Sequence, residues 1–143
     1  MAKFESSVEI DRSVDEVFAF LADPSNETRW QSGLIDSRIT SDGPLAVGST
    51  GRDIRKSMGM KSTTQWVVTE LVPNELFAFS VTKPVPFAAS YRFEPTATGV
   101  KVTMSVDPVG FTKVIWPIIS GVGRKQYLRD FANLKEVLEA EPK

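Results

Sequence analysis

The sequence contains no histidine and no cysteine. No Ser-His-Asp triad or Cys-His pair can form within the chain. Disulfides are impossible, so nothing points to an oxidising compartment. A zinc site would have to rely on carboxylates alone, against that metal's preference for nitrogen and sulfur. No apolar run reaches the ~18 residues of a membrane span, and Met1-Ala2-Lys3-Phe4 leads directly into an alternating pattern instead of a signal peptide. A net charge of −1 supplies no broadly basic face for nucleic acid. The expectation is a cytoplasmic protein with no metal, no cofactor and no nucleic-acid partner. Any proton transfer would fall to a carboxylate, a lysine or a tyrosine with a shifted pKa.

What is present is the makeup of one globular domain over residues 1–143, with 41% hydrophobic and 24% charged residues. A chain of this length can bury about two-thirds of its unfolded surface. Phe4, Ser6, Val8 and Ile10 alternate with charged and polar neighbours, the period of a strand with one buried face. Ser13-Val14-Asp15-Glu16 reads as a capping box opening a short helix with Val17, Phe18, Phe20 and Leu21 as its apolar stripe. Pro24 stops that helix, because it lacks an N–H and pushes Asp23 out of helical geometry. A further short turn over residues 25–29 would end near Trp30.

Six strand candidates follow, at about 33–41, 49–57, 61–72, 75–82, 87–94 and 99–107. Turn signals separate them, among them Ser41-Asp42-Gly43-Pro44, Pro73-Asn74 and Pro84-Val85-Pro86. Short separators predict an antiparallel meander. Phe77, Phe79 and Val81 share one face; so do Phe87, Ala89, Tyr91 and Phe93, and then Val100, Val102, Met104 and Val106. In strands 33–41 and 49–57 the parity is weak and the inward face stays open; with the parity of their strands reversed, Asp36, Arg38 and Arg92 would supply inward charges. The last element is expected from Pro117, placed in the first turn of a helix, to Glu139. Ile118, Ile119, Val122, Tyr127, Leu128, Phe131, Leu134 and Leu138 recur at helical spacing, opposite Arg124, Lys125, Arg129, Lys135 and Glu136.

The run Phe4-Glu5-Ser6-Ser7-Val8-Glu9-Ile10, then Val17-Phe18-Ala19-Phe20-Leu21-Ala22-Asp23-Pro24 and Trp30, resembles the N-terminal signature of START-like proteins. That group also holds the polyketide cyclase/dehydrase-like proteins and the birch-pollen allergen fold. Val47-Gly48-Ser49 is similar to its Val-Gly-Thr before the third strand, and Tyr127-Leu128-Arg129-Asp130-Phe131-Ala132-Asn133-Leu134-Lys135 to its closing helix. The resemblance implies an α+β helix-grip fold: a seven-stranded curved antiparallel sheet around a long C-terminal helix, with two short helices after the first strand. It also implies a cavity between sheet and helix. The histidines found in some cyclase members are absent here.

Function is then expected as binding or transport of a small hydrophobic or amphipathic ligand, whether a lipid, a polyketide or an aromatic metabolite. The alternative is a cyclase or dehydratase that confines a reactive chain in the same cavity and moves protons with Tyr91, Tyr127 or a buried carboxylate. The expected ligand-binding residues are Trp30, Ile54, Trp66, Phe79, Phe87, Tyr91, Met104, Trp116, Ile119, Gly123 and Tyr127. Each tryptophan also reads as ordinary core, and each tyrosine hydroxyl as one that reaches the surface.

The turns at 58–60 and 84–86 and the segment 108–116 share one end of the meander and carry Met58, Met60, Val85, Val109, Phe111 and Trp116. That end is either a mouth for an apolar ligand or a plug for the core. Gly121 and Gly123 would either soften the helix beside it or pack closely on the sheet. Arg52, Arg55, Lys56 and Lys61 read as a solvated face or as a transient contact with an anionic membrane. The oligomeric expectation is a monomer or weak homodimer.

Overall fold

The protein is described here from a computed structural model covering residues 4–57, 59–83, 86–108 and 112–140, with the side chains of the last helix described from Lys125 on, Tyr127 excepted. Strand β1 (Phe4–Ile10) is followed by helix α1 (Val14–Leu21) and a 3₁₀ segment (Pro24–Arg29). Then come β2 (Leu34–Ile39), β3 (Thr50–Ser57), β4 (Met60–Val72), β5 (Leu76–Lys83), β6 (Phe87–Pro95) and β7 (Val100–Pro108), and the chain closes with α2 (Thr112–Ala140). The strands form one antiparallel sheet in the order β1-β7-β6-β5-β4-β3-β2. This is the helix-grip arrangement, a meander with β1 returned to its far edge.

Local chemistry sets the element boundaries. Ser13 caps α1: its hydroxyl accepts from the Glu16 N–H at 3.4 Å and donates to the Glu16 carboxylate at 3.0 Å. Asp23 caps the 3₁₀ segment by accepting from the Ser25 N–H at 3.0 Å, with Pro24 in the first position, where a missing N–H costs least. The core lies between sheet and α2, where Ile10, Val17, Leu21, Val68, Val100, Val102, Val106 and Leu134 are nearly or wholly enclosed. The end of α2 is tied back to β1. Lys135 donates to the Glu9 carbonyl at 2.6 Å, and Arg12 donates to the Glu139 carbonyl at 2.6 Å.

Two sequence expectations need correction, and one face left open is now defined. Helix α2 begins at Thr112, so Pro117 lies inside it, forgoing one backbone hydrogen bond. Leu128 does not belong to the apolar stripe and is 52% exposed. Its place facing the core is taken by Asp130, which shares an i, i+4 row with Gln126, Leu134 and Leu138. The inward face of β2 was obscured by a bulge between Leu34 and Asp36, which puts Leu34 and Ser37 on the same buried side despite their odd separation.

Candidate functional site

A cavity of about 540 Å³ lies between the sheet, the 3₁₀ segment and α2. Its two walls differ in character. One is aromatic and aliphatic, built by Trp66, Phe77, Phe79, Val81, Phe87, Tyr91 and Met104 from β4 to β7. Ring contacts continue across the core: Phe77 and Phe79 lie 5.9 Å apart, Tyr91 is 6.3 and 6.2 Å from them, and Phe131 of α2 links Tyr91 to Trp30 at 6.4 and 6.3 Å. These rings, all buried except the partly buried Phe79, supply a large, rigid apolar surface.

The other wall is polar. Glu27 comes from the 3₁₀ segment, Gln31 and Ser32 from the link after it, Ser37 from β2, Asp53 and Arg55 from β3, and Gln126 and Asp130 from α2. Asp53 Oδ1 accepts from the Ser37 hydroxyl at 2.7 Å and from the Trp66 indole N–H at 3.0 Å, while its Oδ2 is 3.8 Å from the Arg55 guanidinium. Asp130, 2% exposed, accepts from the Ser32 N–H at 3.0 Å, the Ser32 hydroxyl at 2.8 Å and the Gln126 amide at 3.2 Å. Gln31 spans the middle, donating to Glu27 and accepting from Arg55 Nη2 at 2.5 Å. Burial raises the Glu27 carboxyl well above the usual carboxylate range; the negative charges of Asp53 and Asp130 add to the rise and Arg55 opposes it.

Glycines give the polar wall its shape. A methyl group on Gly51 would fall within 1.8 Å of the Trp66 ring, so the absent side chain is the space the indole occupies on its way to Asp53. Gly33 holds a φ of +78°, and its carbonyl accepts from the Lys56 N–H at 2.8 Å. Both Gly33 and Lys56 line the cavity and are exposed, which places the cavity's rim there.

Of the residues singled out from the sequence, Trp30, Trp66, Phe79, Phe87, Tyr91 and Met104 line this cavity. Ile54 does not: β3 alternates, and Gly51, Asp53 and Arg55 take the inward side, leaving Ile54 on the opposite face. Trp116, Ile119, Gly123 and Tyr127 lie on α2, and their side chains fall outside the described residues. So do Met58, Pro84, Val85, Val109 and Phe111 of the expected apolar mouth, whereas Met60 is 75% exposed. Asp36 and Arg38 pair with each other at 2.8 Å on the outer face, and Arg92 is exposed. The basic cluster is divided, since Arg55 turns inward while Lys56 and Lys61 are exposed.

Glu27, Gln31, Asp53, Arg55 and Asp130 were not foreseen as site residues. Two signals were available: the four-residue row that joins Asp130 to Leu134 and Leu138, and a third strand whose alternation offers only one apolar side chain, Ile54. Among the described residues, no helix is long and apolar enough to cross a membrane.

The chain belongs to the polyketide cyclase / dehydrase and lipid transport family, whose pattern matches residues 1–139. Solved structures share the fold at low identity. A protein of Nitrosomonas europaea superposes with a TM-score of 0.81 at 16% identity, over 97% of this chain and 95% of that one. The di-domain ARO/CYC protein BexL from the BE-7585A biosynthetic pathway gives 0.76 at 14% identity, over 97% of this chain and 50% of its own. StfQ, the corresponding di-domain ARO/CYC protein of the steffimycin pathway, gives 0.74 at 12% identity, over 95% of this chain and 50% of its own. No curated protein matches the sequence.

Proposed function

We propose that this protein binds a small amphipathic ligand between the sheet and α2, with the apolar body against the aromatic wall and a polar group at the Glu27–Gln31–Arg55 end. The observation that carries this reading is the segregation of one cavity into an apolar and a polar wall. Its volume of about 540 Å³ falls within the usual range for small-molecule sites. Membership of a family described by both cyclase and lipid-transport roles supports a small organic ligand. Native mass spectrometry of protein purified from its own host, followed by organic extraction, tests it. A protein that carries no extractable compound and fails to take up an apolar fluorescent probe would sink the reading.

One observation favours a second reading, an enzyme of the cyclase or dehydratase kind. A carboxyl whose proton is held more tightly than usual inside a cavity can give that proton to a ligand carbonyl and take one back. Glu27 meets that description. Incubation with a β-hydroxy ketone of matching size separates the readings: loss of water that disappears in Glu27→Gln marks an enzyme, and unchanged substrate marks a carrier.

A further inference from the structure

The charges of the polar wall restrict which ligand the proposed site takes, an inference that rests on the binding reading above. Glu27 accepts a hydrogen bond from Gln31, and no cation lies within ion-pairing distance of it among the described residues. Its obvious partner, Arg55, is engaged elsewhere. The guanidinium donates to Gln31 and faces Asp53 at 3.8 Å, so the Gln31 amide stands between the two groups with one end on each.

The groups that act on Glu27 are Asp23 on its own segment, Asp53 and Arg55 on β3, and Asp130 on α2. Lys56, also on β3, reaches the cavity only at its exposed rim, where water and salt screen its charge. Asp53 and Asp130 already hold their donors. Among the described residues, Glu27 is therefore a carboxyl without an ion-pair partner, since Arg55 acts on it only from beyond Gln31, and it borders open space. Among the described residues, no three acidic groups converge closely enough to hold a metal ion. The missing positive charge thus fits an organic cation.

We propose that the ligand is a cationic amphiphile, whose ammonium group pairs with Glu27 while its apolar body lies along Phe79, Phe87, Tyr91 and Met104. The exchange balances: one ammonium enters, the Glu27 proton leaves to water, and the charge of the site is unchanged. A carboxylate headgroup would instead meet Asp53 and Asp130, with the one guanidinium among the described lining residues already shared. A neutral alcohol can take a hydrogen bond from protonated Glu27 and stands between the two.

Three probes with one tail, decylamine, decanol and decanoate, test this by isothermal titration calorimetry in two buffers of different protonation enthalpy. Decylamine is expected to bind about tenfold tighter than decanol, with decanoate weaker than decanol by at least about another tenfold. Amine binding should release a proton and tighten by up to about tenfold per pH unit until Glu27 is ionised in the free protein. Glu27→Gln should abolish both the preference for decylamine over decanol and the proton release. Should that variant fail to fold, the pH dependence of the unmutated protein decides the matter: proton release that fades as pH rises supports the proposal, and amine binding with no proton release at any pH overturns it. Decanol or decanoate binding as tightly as decylamine also overturns it, while leaving the cavity reading intact. Binding of none of the three overturns both.

Discussion

Gly51 and Trp66 face each other across β3 and β4, and the indole lies where a side chain on residue 51 would be, 1.8 Å from the nearest ring atom. The same indole donates to Asp53 at 3.0 Å. One missing methyl group thereby positions the carboxylate that faces Glu27. Gly51→Ala should push the ring away and break that hydrogen bond, costing about 1–3 kcal/mol as overpacking in a tight interior. Urea denaturation followed by tryptophan fluorescence reads both the loss of stability and the changed environment of the ring. A fully stable variant with unaltered emission would show that the wall yields freely.

Asp130 couples α2 to the loop that carries the polar wall, through two bonds from Ser32 and two from Gln126. Asp130→Ala should destabilise the protein by about 1–3 kcal/mol, since it strands half-buried donors and removes charge-assisted bonds. Asp130→Asn keeps one acceptor and should recover part of that loss. Thermal unfolding of the two variants side by side checks the order; equal stability in both would show that the acceptor is dispensable.

The apolar half of this architecture was legible in the sequence, and the polar half was not. The alternation of Phe77–Val81, Phe87–Phe93 and Val100–Val106 survives in the structure because each strand has one face on the core and short, unambiguous turns fix its register. The residues of the polar wall obey no such pattern. Asp53 and Arg55 look solvated along the chain, since burial of charge is rare and depends on partners supplied from elsewhere. Ser37 is brought opposite Asp53 by a bulge. Asp130 reaches Ser32 only after the chain has returned across 98 positions. Such clusters are made by topology, and local periodicity carries no trace of their mates.

The two faces of β3 and β5 give a paired test of the binding reading. Phe79 lines the cavity, whereas Ile54 lies on the far side of the sheet. Phe79→Ala should weaken an apolar fluorescent probe by about tenfold, consistent with losing part of an aromatic contact. Ile54→Ala should leave the affinity within about twofold. Equal losses at both positions would mean that the probe reports stability and not the cavity.

The Glu27 carboxyl holds its proton more tightly in the folded chain than in the unfolded one, because burial and the charges of Asp53 and Asp130 disfavour its ionised form. Between the unfolded value, near 4.5, and the raised folded value, the native state binds more protons than the unfolded state. Stability must then fall as pH rises through that window, and each unit of displacement corresponds to about 1.4 kcal/mol. Below the window both states are protonated and the penalty vanishes. Glu139 acts in the opposite sense and elsewhere: the hydrogen bonds from Lys135 and the Asp11 N–H lower its pKa, so its contribution is present above the ordinary carboxylate value and lost only in more acid solution. Glu27→Gln removes the first effect and leaves the second. Denaturation midpoints taken at rising pH above the ordinary carboxylate value should decline for the unmutated protein and run flatter for the variant, which should be the more stable of the two at the alkaline end. Parallel curves would show that Glu27 is already ionised throughout, compensated by a charge that the polar wall does not reveal.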